Sequence, residues 1–231
     1  RWFPYGSLPL YTVKVVEGVL SPFTDLDFSN LRFVGRGLSA LADVGTVLMI
    51  FLLGTRLYAR RVGILASLLA ALAVLHIQLS HFYAVDTQLT LFAMVALYFM
   101  YRVATRGRLR DSALAGAVIG LGLATKASLT PIYVAFFMAH LLFFLGVVEG
   151  GRGLDLRSRD RWLAALKGLA VGAAASVLVF GVAQPYAFLD WERFWGDVRE
   201  QSEMVRRVAD FPFTRQYIDT TPYWYHIKQL A

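Results

Sequence analysis

Five or six apolar stretches, each close to the length that crosses a bilayer, fill the middle of this chain and decide most of what it can become. They are Leu38–Leu57, Val62–Leu79, Thr87–Val103, Ser112–Leu129, Pro131–Val148 and Leu163–Ala183. A helix needs about 20 apolar residues to cross a ~30 Å hydrocarbon core. Lipid offers no partner for backbone N–H and C=O groups, so such runs become helices rather than open sheets. Composition points the same way. Of the 231 residues 57% are hydrophobic and 17% charged, and mean hydropathy is +0.53, against about half and a quarter in soluble domains. The sequence therefore predicts an all-α, polytopic membrane helix bundle of about six spans. Ser112–Leu129 is the least comfortable of them, because its uninterrupted apolar part ends at Thr125.

The connections between these runs carry a charge pattern. Arg56, Arg60 and Arg61 follow the first span, Arg102, Arg106, Arg108 and Arg110 the third, and Arg152, Arg157, Arg159 and Arg161 the fifth. The intervening connections hold only Lys126. Lys and Arg mark the cytoplasmic side. The alternation puts the stretch His76–Asp86, the Lys126 connection and both ends of the chain outside. It also accounts for the net charge of +7 as topology, and excludes a nucleic-acid patch, which would gather its cations on one face. With no cysteine in the chain, a disulfide framework and thiolate metal sites are excluded. The chain begins at Arg1 without a charged segment and short apolar run of the signal-peptide kind, so it is read as an internal piece of a longer protein.

Around the bundle, residues 1–36 are expected to form an outer loop with a short amphipathic helix. Leu10–Leu20 holds Lys14 and Glu17 and is too short to span. Asp25 and Asp27 lie in the polar segment after it. Residues 37–183 form the transmembrane bundle, and residues 184–231 an outer-face segment. There Trp191, Phe194, Trp195, Val198, Val205 and Val208 recur at helical spacing between charged residues, which predicts an amphipathic helix over Asp190–Val208 along the interface. Phe211–Tyr225 reads as an aromatic loop, either an interfacial belt or a platform for sugar rings. Gly116, Gly120, Gly122, Gly168 and Gly172 read as close helix packing.

The residues that could carry chemistry gather at one face. His76–Asp86 holds two histidines, a glutamine, a serine, a tyrosine and a carboxylate, with no Lys or Arg. It is either a solvated outer turn or a binding site at membrane depth. Asp86 opens the third span, as a helix N-cap or as a functional carboxylate. His76, His81 and Asp86 do not have the spacing of a helical metal pair, so no metal site is assigned. Lys126 breaks the charge alternation. It is a snorkelling lysine or, the favoured reading, a cation that meets an anionic lipid headgroup.

Arg36–Asp43, Leu53–Tyr58, Ser80–Asp86 and Gly120–Lys126, taken in this order, resemble segments of the GT-C membrane glycosyltransferases. The similarity is to the prokaryotic protein O-mannosyltransferase and aminoarabinose-transferase group. Gly6–Tyr11 and Thr220–Tyr225 are similar to outer-loop segments of that group. The resemblance implies a multi-pass enzyme of a prokaryotic plasma membrane. It would move a hexosyl or pentosyl group from a polyprenyl-phosphate-linked sugar to an acceptor hydroxyl on a lipid, glycan or protein. It implies Asp86 as a catalytic carboxylate, Lys126 near the lipid phosphate, and His81 and Tyr83 on phosphate or sugar. It also implies that the group's principal acidic residue would precede Arg1. A transporter is the first alternative, and would need polar groups in the middle of several spans. A non-catalytic membrane scaffold is the second, and would need neither Lys126 nor the His76–Asp86 cluster.

Overall fold

Backbone groups inside an apolar run must bond within their own segment, and the chain accordingly folds into helices. The computed structural model describes residues 6–22, 28–147 and 159–205, with the single positions 221, 224 and 228. Asp25, Asp27, Arg152, Arg157, residues 206–208 and nearly all of Phe211–Tyr225 lie outside the described residues. In chain order the helices are α1 (Leu8–Leu20), α2 (Phe28–Leu57), α3 (Arg60–Ala71), α4 (Val74–Ser80), α5 (Val85–Arg106), α6 (Leu109–Thr125), α7 (Ile132–Leu145), α8 (Arg159–Ala183), α9 (Tyr186–Leu189) and α10 (Trp191–Val205). A 3-10 turn, Ala127–Leu129, precedes α7. The architecture is an all-α membrane helix bundle.

The expected polytopic bundle is present, with four to five candidate spans among the described residues where about six were expected. Among the described residues four helices are long and apolar enough to cross a membrane: Asn30–Leu57, Val85–Arg106, Ala127–Leu145 and Arg159–Ala183. The run Val62–Leu79 is not one straight helix. It breaks after Leu72, where Ala73 turns to extended backbone at ψ 120°, and α3 and α4 meet at 60°. Counted as one broken span, they make a fifth. The bend brings His76 on α4 to Asp43 on α2, with Nδ1 2.6 Å from Oδ1.

The uncomfortable fourth run becomes α6, whose 17 residues reach about 26 Å at helical rise. It is the most enclosed helix, packed chiefly on α8 and α5. Its small residues explain the position. A Cβ on Gly116 would collide with the carbonyl of Gly172, and one on Gly172 would lie 2.8 Å from the carbonyl of Ser112. Helices without side chains at the crossing approach until their backbones touch. Ala96, Met100, Val103, Ala115, Ile119, Phe136 and Ala139 fill the centre between α5, α6 and α7.

The spans carry polar groups inside the bundle. His140 on α7 is buried. Its Nδ1 donates to Phe136 O at 2.9 Å, which leaves Nε2 to accept from the Ser112 hydroxyl at 3.0 Å. Tyr133 and Ser176 share a hydrogen bond of 2.6 Å. These are satisfied pairs between neighbouring helices, and they act as glue rather than as a line of sites through the bundle.

Residues Tyr5–Pro185 form one compact unit, and Tyr186–Ala231 with Arg1–Pro4 form another. In the second, α10 is a true amphipathic helix. Trp191 and Trp195 meet edge to face at 5.3 Å, as do Phe194 and Trp195 at 5.9 Å. Both tryptophans are exposed in the chain alone.

Candidate functional site

In the larger unit the first two of the three Arg-bearing connections lie together, because the Tyr101 hydroxyl at the end of α5 donates to Arg56 O at the end of α2, at 3.3 Å. The candidate site forms at the opposite end of α5. Ser39 on α2, fully buried, accepts from the Ala84 N–H at 3.3 Å and from the Thr87 hydroxyl at 3.2 Å. This fixes where α5 begins. The N-cap is Ala84, without a side-chain cap, so the N-cap reading of Asp86 does not hold. Asp86 is inside the first turn, where a carboxylate meets the positive end of the helix dipole.

Lys126 comes to the same place from α6. The helix stops at Thr125, and Lys126 takes extended backbone at φ −159° and ψ 125°. The lysine is therefore neither a helix continuation nor lost in the span. Its ammonium lies 2.8 Å from Asp86 Oδ1. The pair keeps contact with the surroundings, with 29% of the lysine side chain and 45% of the aspartate side chain accessible. An ion pair this exposed contributes little to stability, which leaves it available for other work.

Tyr83 frames the pair from the turn before α5. Its hydroxyl donates to Pro9 O of α1, and its ring lies on Gly35 of α2, where a Cβ would stand 2.7 Å from ring Cγ. Burial raises the phenol above its ordinary value, partly offset by hydrogen bonds to Thr12 and Gln88. The α1 start is held beside it, since Gly6 N–H donates to Thr125 O at 3.0 Å and Ser7 N–H to the Gln184 side chain at the end of α8. Thus α1, α5, α6 and α8 converge on the Asp86–Lys126 pair.

Of the residues singled out from sequence, Asp86 and Lys126 are brought together and Tyr83 is placed alongside. His81 is not. It is exposed, and its Nδ1 donates at 2.6 Å to Ile77 O on its own helix. Sequence reasoning missed the Asp43–His76 pairing and two buried glutamines. Asp43 and His76 were each visible as polar residues, but a separation of 33 residues gives no hint that they meet. Gln88 and Gln184 are buried glutamines, with one amide atom each, Gln88 Oε1 and Gln184 Nε2, lacking a partner among the described residues. Among the described residues no three of His, Asp and Glu gather as a metal would require.

The helix bundle carries a cation and a carboxylate together at one end, and the fold is that of a multi-pass membrane protein. The family described as dolichyl-phosphate-mannose-protein mannosyltransferase matches residues 19–180, and the chain belongs to that family. It is a membrane glycosyltransferase of a family that uses polyprenyl-phosphate sugar donors. No curated protein matches the chain, and no solved structure does.

Proposed function

We propose that the chain transfers a glycosyl group from a polyprenyl-phosphate-linked sugar to an acceptor hydroxyl at the outer face of a prokaryotic plasma membrane. The observation that carries this reading is the accessible Lys126–Asp86 pair, at the end of the bundle away from the arginine-rich connections. The acceptor oxygen attacks the anomeric carbon, the bond from that carbon to the phosphate oxygen breaks, and the electron pair leaves on polyprenyl phosphate. Lys126 stabilises that phosphate charge as it develops. Asp86 takes the acceptor proton on the oxygen that does not face Lys126. Tyr83 borders the sugar and shapes the pocket. An apolar groove of about 300 Å³ between α1 and α2, lined by Leu8, Tyr11, Thr12, Val15, Val16 and Leu38, suits the first isoprene units.

The test uses sugar transfer from the lipid donor by the full-length protein in vesicles, with expression checked. A charge-assisted contact to phosphate is worth about 1.5–3 kcal/mol, and each 1.4 kcal/mol is tenfold. Lys126→Ala is expected to weaken donor use by about one to two orders of magnitude, and Asp86→Asn to lower turnover with the protein folded. Full activity in both variants would remove the pair from the site. The face is read separately in this cysteine-free chain. Phe82→Cys should label from outside intact cells and Arg108→Cys should not.

A further inference from the structure

Gln184 directly follows α8 and is fully buried. A backbone N–H can only donate, so the atom of Gln184 that faces Ser7 N–H is the carbonyl oxygen Oε1. That fixes the amide orientation and leaves the NH2 group, Nε2, as a buried donor with no hydrogen-bond partner among the described residues. Leaving such a group unpaired is costly, and native folds do so rarely. The location gives the orphan donor a context. Ser7, which Gln184 holds, follows Gly6; Gly6 N–H is bonded to Thr125 O, and Thr125 precedes Lys126. At the same end, on α5, Gln88 Oε1 is a buried acceptor without a partner among the described residues, two residues beyond Asp86. Among the described residues, the charged side chains with buried atoms that lack a hydrogen bond, Arg102 on α5 and Asp111 on α6, lie at the opposite end of the α5–α6 pair and form an ion pair with each other.

We propose that Gln184 is a substrate-positioning residue: its NH2 donates to an oxygen of the lipid-linked donor, from the phosphate or from a sugar hydroxyl, while its Oε1 holds α1 against the site. This rests on the reading of the Lys126 end as the donor site. One amide then joins ligand binding to the docking of α1, so a bound donor would also fix the helix that lines the apolar groove.

Two substitutions separate the two halves of the amide. Gln184→Glu keeps an oxygen for Ser7 N–H and removes the NH2 donor. Ser7→Pro removes the N–H, at a φ of −79° that proline tolerates, and leaves the Gln184 donor in place. Binding of polyprenyl phosphate and of a polyprenyl-phosphate sugar is measured on the full-length protein in lipid nanodiscs, with the thermal midpoint recorded for each variant. Gln184→Glu should bind tenfold or more weakly with its midpoint kept, and Ser7→Pro should lose far less affinity. Loss for both lipids assigns the contact to the phosphate, and loss for the sugar lipid alone assigns it to a hydroxyl. Should Gln184→Glu fail to fold, Gln184→Met takes its place; it removes the NH2 donor together with the oxygen that holds Ser7 N–H, so it should bind tenfold or more weakly than Ser7→Pro, which loses the anchor bond alone. Gln184 variants that bind both lipids like the wild type would overturn the inference and leave the donor reading standing. So would a loss that Ser7→Pro reproduces in full, since the amide would then act only as an anchor. A wild-type protein that binds neither lipid would overturn both.

Discussion

The α5–α6 hairpin carries an ion pair at each end, and the two pairs are built for different purposes. Near the connection at Gly107, Arg102 Nη2 lies 2.8 Å from Asp111 Oδ1, with the aspartate fully buried and the arginine side chain 22% accessible. Phe99 and Tyr98 lie under the guanidinium at 5.7 and 6.0 Å. At the other end, Lys126 and Asp86 are also 2.8 Å apart but remain in contact with the surroundings. Distance does not distinguish them; burial does. A buried carboxylate has no alternative to its cation, so that pair is a staple. An accessible pair exchanges its partners for water or ligand at little cost, so a phosphate can enter beside Lys126 without undoing the fold. The chemistry of the residues is nearly the same, and the environment assigns the role.

The comparison breaks most visibly at the buried pair. Arg102→Ala leaves an uncompensated carboxylate inside the bundle, and losing one partner of such a pair costs about 3–5 kcal/mol. Thermal unfolding of the purified protein should show this as the largest drop of the set. The double substitution Arg102→Met with Asp111→Leu should recover most of the loss, because apolar replacements remove both charges together. A single variant as stable as the wild type would place Arg102 and Asp111 with the accessible pair.

At the Lys126 end the expected stability effects are smaller. Lys126→Ala and Asp86→Asn should each change unfolding stability by no more than about 1 kcal/mol, while transfer activity falls. Equal losses of stability at the two ends would erase the distinction drawn here.

The smallest effect is expected at Tyr83. Tyr83→Phe removes the phenol bond to Pro9 O, worth about 1 kcal/mol, and should loosen α1, read as faster proteolysis near its start. The phenol is raised by burial, so the folded state favours its neutral form. That contribution is complete below the ordinary phenol value and is lost as pH rises through the raised one. The protein should thus show no Tyr83-linked change near neutrality and weakening only at strongly alkaline pH, with Tyr83→Phe abolishing the alkaline limb.

Much of this was legible along the chain. Apolar runs of about 20 residues have one solution in lipid, so helices and the membrane class followed from the sequence itself. Arginines that recur in alternate connections gave the ordering of ends, and the Tyr101–Arg56 contact agrees with it. Asp86 and Lys126 stood out because a charge beside an apolar run is rare. What the chain alone left open depends on where distant segments meet. The break after Leu72 involves no proline or glycine and only two residues of altered backbone, a small cost against the His76–Asp43 contact that it permits. The assignment of Arg102 as half of a staple, rather than one more topology marker, needed Asp111 beside it with no access to water. Gln184 acquired meaning only when its oxygen was found on Ser7, 177 residues away, with its nitrogen left over. Periodicity and charge act locally and are written in order along the chain. Burial and pairing are properties of the packed whole, because the free energy of a polar group depends on what surrounds it and not on its neighbours in sequence.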